Sequence, residues 1–532
     1  MATLPPGRAA AQPDFGDARN CKDWLNALPL DNIPRAQGLV LEALRALNAS
    51  EHDAMARLTC LELMRDKVAF LQGEQRARYF GKSLPLSPND SGAWATGLAL
   101  LEEMEAGYRA CLAAAEGEAM APHRALLAQR VLRYLGAQML FHALVYRRFD
   151  AALWTRLHGQ FAEAERAGLE HTPVKDSLEA EAAGSSVEAA YLHVILLQAA
   201  FLEELTAPQI DFVDALLRQW IRKAALRPRG AASDAAHVHA LAVDLDKPIG
   251  ARPLAQSALA ASHRVIDTGA LSNSLRKRIH ALENDAEPVS LGLPAETGVG
   301  DPLPQLRRLH KLWCEGAPPR PPGRVSQETG AGVVFGIAEA HFFVAGGKLF
   351  EQPDRPRELT REEKQDIEVF GQVTQRTQGR MMAEHNYTAE NWKVVDEMLG
   401  AWRLQRPPTA SRGVAIGRLV AMRVGDAGAF YLGVVSALVM DADGGLVMTV
   451  SLFPGRPQPI AVRAADPRRA RNAWVPGFRL PPLERLQIAA SFVVASGLAA
   501  RGKHLEWWDG EPREVAVAQV LERGADFDRL SA

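Results

Sequence analysis

The sequence predicts an α+β multidomain protein: stacked antiparallel helices followed by a small C-terminal antiparallel β-barrel and an additional β segment. Three observations carry this. The 532 residues exceed what one hydrophobic core can organise. From about Cys21 to Arg227 the apolar residues recur at helical spacing. Beyond Asn391 the period switches to two, in short β-branched or aromatic runs separated by turn residues.

Taken in order, residues 1–20 hold Pro, Gly and acidic residues and are expected to be a disordered N-terminus. They lack the basic start and apolar run of a secretory signal, so a cytoplasmic protein is expected. The helical domain, 21–230, shows stripes such as Val40, Leu44 and Leu47, then Trp94, Leu98, Leu101, Tyr108 and Leu112. Ser185 with Glu188 has a capping-box spacing, and Thr206-Ala-Pro208-Gln209 opens a further helix with Ile210, Val213, Leu217 and Trp220 on one face. Short connections make consecutive helices antiparallel. Residues 231–314 form a mixed segment. In it HVHALAVDLD alternates as a strand through Leu241, Val243 and Leu245, and helical spacing resumes over 271–282 and 306–313. The Pro/Gly-rich stretch 315–332 is expected to be a linker.

Residues 333–375 are expected to be a helical connector, with GVVFGIAEAHFFVAGGKLF as one apolar helix ended by Gly346-Gly347, then a charged helix. The barrel is expected over 376–470, from NWKVVDEMLGAWRL, GVAIGRLVAMRV, FYLGVVSALVM, GLVMTVSLF and PIAVRA, with Asp443-Gly444 as a hairpin turn. The C-terminal β segment, 471–532, adds LQIAASFVVAS, KHLEWW and REVAVAQVLE, turning at Asp509-Gly510.

Composition excludes several classes. The apolar fraction of 47% and charged fraction of 23% are those of an ordinary globular chain. A net charge of -2 gives no global reason to bind a nucleic acid polymer. The apolar runs fall short of the roughly 20 residues that span a bilayer, so no membrane insertion is expected. Cys21, Cys60, Cys111 and Cys314 stand far apart with no C-x-x-C pair, which suggests neither a metal site nor a disulfide framework. P-loop, H-E-x-x-H, nucleophile-elbow and EF-hand motifs are absent, so no catalytic residues and no cofactor are expected. His237 and His239 share a strand face without companion ligands. Glu339 and His341 lie two apart in an apolar helix, where they point to different sides.

One constellation rises above this background. Arg376 and Arg380 form an R-x-x-x-R pair just ahead of the β region, and Asp396 lies in the first barrel strand. The arrangement resembles the PilZ domain, a small bacterial β-barrel whose known ligand is cyclic di-GMP. That resemblance implies that Arg376 and Arg380 contact phosphate and guanine, and that Asp396 meets the base edge. Guanidinium groups suit this, since they pair with phosphate and stack on aromatic faces. Arg218 with Arg222, Arg320 with Arg324, and Arg357 with Arg361 have the same spacing and are read as solvated positions. The family's D/N-x-S-x-x-G motif is altered: Met398 stands where the serine is expected and Ala401 where the last glycine is. The longer helical stretches, including GSSVEAAYLHVILLQAAF and VIDTGALSNSLRKRI, resemble a group of large proteobacterial cytoplasmic proteins in which a helical region precedes such a divergent barrel. The expected function is a non-enzymatic bacterial signalling adaptor responsive to cyclic di-GMP, with an unidentified protein partner. The alternative is a protein-interaction scaffold whose barrel no longer binds nucleotide.

Overall fold

Helix starts in the N-terminal half are fixed by side-chain caps: Asp17, Asn32, Asp53, Ser87, Asp150 and Ser186 each accept a backbone N–H from the first turn that follows. In this computed structural model the helices are α1 (Ala18–Asn26), α2 (Ile33–Ala49), α3 (Ala54–Gln75), α4 (Pro88–Ala113), α5 (Arg124–Ala143), α6 (Ala151–Arg166), α7 (Val187–Gln198) and α8 (Ala207–Trp220). The structure describes residues 15–115, 117, 119–179, 185–228, 241–254, 260–294, 296–316, 323–325, 329–354, 360–371, 374, 377, 379, 382, 384–385, 387–406, 412–425, 427–441, 443–465 and 473–531, by backbone alone at 324, 325 and 363. Residues 1–14 of the expected disordered N-terminus and half of the expected linker lie outside them.

Helix α5 is the axis of the helical stack. Leu127, Val131, Leu135 and Met139 recur every four residues and are buried against α4, α6 and α7. Helix α4 packs in turn on α2 and α3. The capping box of α8 is formed, with the Thr206 N–H donating to Gln209 Oε1 at 2.9 Å, and Ile210, Val213, Leu217 and Trp220 are all buried. The cap of α7 is Ser186, one residue beyond the expected Ser185. The Ser185 backbone is bridged instead to Val174, and the Glu188 carboxylate accepts the Leu226 N–H at 2.6 Å. The chain then forms a small sheet from β1 (Ala225–Pro228), β2 (Leu241–Asp244), β3 (Arg252–Pro253) and β4 (His263–Asp267), in the order β1-β4-β2-β3. Helices α9 (Gly269–Glu283) and α10 (Leu303–Cys314) follow. All of this belongs to one unit, Met1–Lys82 with Leu86–Arg320.

The second unit comprises Ser83–Pro85 and Pro321–Ala532. Its elements begin with β5 (Arg324–Val325), β6 (Gly330–Phe335), α11 (Ile337–Val344), α12 (Arg361–Phe370), β7 (Glu390–Met398), β8 (Ala401–Arg406), β9 (Leu419–Val424), β10 (Tyr431–Met440) and β11 (Leu446–Leu452). Strands β7-β6-β9-β10-β11-β8 close back onto β7, giving a six-stranded antiparallel barrel with β5 extending one edge of β7. Closure leaves these strands without a free edge. The expected apolar helix therefore starts only at Ile337. Val333–Phe335 completes a barrel strand, and Gly336, at φ +84°, makes the break between strand and helix. Gly346 and Gly347 end α11 as expected, returning N–H groups to Phe343 and Phe342.

The rest of the chain forms a separate seven-stranded antiparallel sheet: β12 (Gln458–Ala465), β13 (Val475–Leu480), β14 (Ser491–Ala495), β15 (His504–Trp508), β16 (Pro512–Ala516), β17 (Gln519–Arg523) and β18 (Phe527–Ser531). Its order is β16-β15-β12-β13-β14-β18-β17. The segment PIAVRA, expected in the barrel, is β12 of this sheet, paired with β13 and β15. Barrel and sheet share one core, in which Leu419, Leu432 and Phe453 meet Phe478, Val493 and Phe527, with Ala340 of α11 among them. No helix among the described residues is long and apolar enough to cross a membrane.

Candidate functional site

Of the three residues expected to hold a ligand, Arg376 and Arg380 lie outside the described residues. Asp396 sits in β7, where a bulge at Val395 shifts the register: Val394 opposes Leu404, but Asp396 opposes Arg403. Arg403 Nη2 donates to Asp396 Oδ2 in a close ion pair. The carboxylate is buried, while Arg403 is 41% exposed. Above it lies Gly323, where a Cβ would fall 2.7 Å from Asp396 Oδ1, so only glycine fits. That Oδ1 has no hydrogen-bond partner among the described residues. Asp396 thus has one oxygen committed and one buried without a partner.

The altered motif forms the β7–β8 hairpin. Met398 opposes Ala401, Leu399 is fully exposed, and Gly400 at φ +72° supplies the left-handed turn residue. The positive φ therefore falls one residue before Ala401, which joins β8 without strain.

A groove of about 610 Å³ opens at the barrel wall between Gly330, Asn391, Trp392, Gln405 and Asp441. Its buried cation, Arg406, is fully used. It donates to Glu390 Oε2 at 3.1 Å and to the Arg412 carbonyl at 2.8 Å, and it lies over the Trp392 ring. This is a structural clamp rather than a free guanidinium.

The helical unit holds a polar network that sequence reasoning missed. Arg65 of α3 and Arg130 and Arg133 of α5 surround Asp176, at N···O distances from 2.5 to 3.4 Å. Arg133 also pairs with Glu179, and Arg130 chelates Glu62 at 2.9 and 3.0 Å. Arg218, read as solvated, instead bridges Asp214 at 2.8 Å and Glu179 at 3.0 Å, and His193 Nε2 lies 2.8 Å from Asp214. Burial alone would push the Asp176 carboxyl up, but Arg133, Arg65 and Arg130 hold it well below the usual carboxylate range. The available signal was a charge on an apolar stripe: Arg65 stands among Leu58, Leu61, Met64, Val68 and Leu71. The network borders a cavity of about 250 Å³ between α3, α5, α7 and α8.

Other candidates resolve simply. His237 and His239 lie outside the described residues. No group of three His, Cys, Asp or Glu side chains able to hold a metal occurs among the described residues. Glu339 pairs with Arg412 and accepts the Thr388 N–H, whereas burial pushes His341 down to about 4 between Phe350 and Phe478. Asp244 is consumed by Ser262, Lys247 and the Asp246 N–H.

Fold and site together define a two-unit α+β chain, in which a helical stack with a buried arginine–carboxylate network precedes a closed six-stranded barrel joined to a second sheet. Residues 19–231, the span from α1 past β1, match the family described as the N-terminal domain of the cyclic-di-GMP receptor FimW. The chain is also similar to the cyclic-di-GMP receptor FimW of Pseudomonas aeruginosa strain PAO1, at 27% identity over 360 residues. That alignment covers 64% of this chain and 57% of the relative, so the chain spans little more than half the length of the protein it matches. No solved structure matches.

Proposed function

We propose that the protein is a non-enzymatic signalling adaptor of the bacterial cytoplasm, responsive to cyclic di-GMP through a divergent PilZ-like barrel. The observation that carries this reading is the similarity over 360 residues to a protein named as a cyclic-di-GMP receptor. The closed barrel, with Arg376 and Arg380 falling in sequence between its strands β6 and β7, supports it. In this reading the two guanidinium groups take phosphate and guanine, and the free Oδ1 of Asp396 accepts from the base edge. A ligand that engages the arginines differently in two arrangements of the arm biases one of them and so alters what the barrel offers a protein partner.

A second reading has its own observation. The Asp396–Arg403 pair and the loss of a hydroxyl at Met398 favour a barrel that has given up nucleotide and serves as an interaction scaffold. Calorimetric titration of the full chain with cyclic di-GMP separates the two. The adaptor reading expects saturable binding that the Arg376→Ala, Arg380→Ala double variant weakens by about a hundredfold or more, since each charge-assisted bond contributes about 1.5–3 kcal/mol. Absence of heat at high micromolar ligand selects the scaffold. Equal binding by both proteins keeps the ligand but discards this site.

A further inference from the structure

The cavity in the helical unit is independent of the barrel. One side is apolar, formed by Val68, Leu101, Leu140, Phe141, Val194 and Leu197; the other carries Arg65, Tyr134 and the ion pairs. Native interiors rarely keep voids of this size, and a cavity of about 150 Å³ already holds benzene. At about 250 Å³ this one has room for a ring with a short substituent.

Its polar end is balanced in charge yet incomplete in hydrogen bonds. Among the described residues four guanidinium groups, Arg65, Arg130, Arg133 and Arg218, are matched by four carboxylates, Glu62, Asp176, Glu179 and Asp214. An anion entering here would add an uncompensated buried charge. The Arg65 guanidinium lies against the Tyr134 hydroxyl oxygen, and the Tyr134 O–H, on a side chain 5% exposed, has no acceptor among the described residues. Burial pushes the Tyr134 hydroxyl up to about 12, so it keeps its proton at neutral pH. Buried donors are satisfied in native proteins with few exceptions. Among the described residues the Tyr134 O–H is such an exception.

We propose that this cavity binds a small uncharged amphipathic molecule, an aromatic or short-chain apolar body bearing one carbonyl or hydroxyl oxygen that accepts from the Tyr134 hydroxyl. The apolar wall supplies affinity and the Tyr134 donor supplies orientation.

Acetophenone, ethylbenzene and benzoate serve as probes, titrated into the full-length protein and followed by saturation-transfer NMR. Acetophenone is expected to bind about fivefold or more tighter than ethylbenzene, which lacks the oxygen, with benzoate weakest. Tyr134→Phe should remove most of that preference while leaving ethylbenzene unchanged, and Ala137→Leu, which fills the cavity, should abolish binding of both. If no probe binds at millimolar concentration, or benzoate binds tightest, the inference is wrong; the wild-type ranking decides it even if a variant fails to fold. The result is separable from the barrel reading, because neither outcome requires cyclic di-GMP to bind.

Discussion

Asp176 shows how much one side chain can hold. Its carboxylate is completely buried and faces three guanidinium groups, with Gln129 Nε2 donating at 3.1 Å as well. Removing one member of a buried ionic cluster costs more than the cluster contributes, because the remaining charges stay desolvated. Asp176→Asn is therefore expected to destabilise the helical unit by about 3–5 kcal/mol, read from the denaturant midpoint of its helical circular dichroism. The pH dependence follows from the lowered ionisation of this carboxyl. Its stabilisation is complete above the ordinary carboxylate range and is lost as pH falls through that range toward the folded value. Stability curves of wild type and variant should therefore converge in acid and separate near neutrality. A constant difference across pH would mean that the loss comes from packing rather than charge.

At the scale of elements, what was legible followed from local pattern, and what was not depended on pairing. Strands β9 to β11 announce themselves by alternation and turn residues, and α8 by its capping box and stripe, whereas NWKVVDEMLGAWRL, expected as one segment, is broken by the turn at Leu399-Gly400 into β7 and β8. Gly330–Phe335 did not, because a continuous apolar run reads equally as strand or buried helix until a partner is known. Assignment of β12 to the second sheet, and of Arg403 to Asp396, rests on register, which composition cannot encode. Asp396 was thus visible as a candidate while its partner was hidden. Register also gives some glycines a meaning that propensity lacks. In β10 a Cβ on Gly433 would lie 2.4 Å from the Ser451 carbonyl oxygen, a backbone atom with little freedom to retreat. Gly433→Ala should force β10 and β11 apart and cost roughly 2 kcal/mol or more. Gly332→Ala in β6, whose nearest neighbour would be 4.0 Å away, is the matched control and should be near neutral. Thermal unfolding of the two variants tests this; equal shifts would show that the β10–β11 contact yields more easily than its geometry implies.

For the whole molecule, division into two units is not division of the sequence into two halves. Ser83–Pro85 belongs to the barrel's unit although the residues on either side belong to the helical one. Leu84 exchanges two backbone hydrogen bonds with Val414, at 2.8 and 2.9 Å, and its side chain is 1% exposed. Arg406, already paired with Glu390, leans toward the Leu84 carbonyl. No periodicity could announce this, since the partners stand more than 300 residues apart and a single bridge leaves no alternating run. The consequence is that three residues from the N-terminal part of the sequence contribute to the stability of the barrel's unit. Full burial of a leucine contributes about 1.5–3 kcal/mol, and a carboxylate in its place has no partner. Leu84→Asp in the full chain should therefore loosen the barrel's unit selectively. Hydrogen exchange should speed up by roughly thirtyfold or more in peptides covering 412–440, while peptides from α7 and α8 keep their wild-type protection. If α7 and α8 lose protection to the same degree, the two units unfold as one cooperative body. If neither changes, the Leu84 bridge contributes nothing to the barrel's stability.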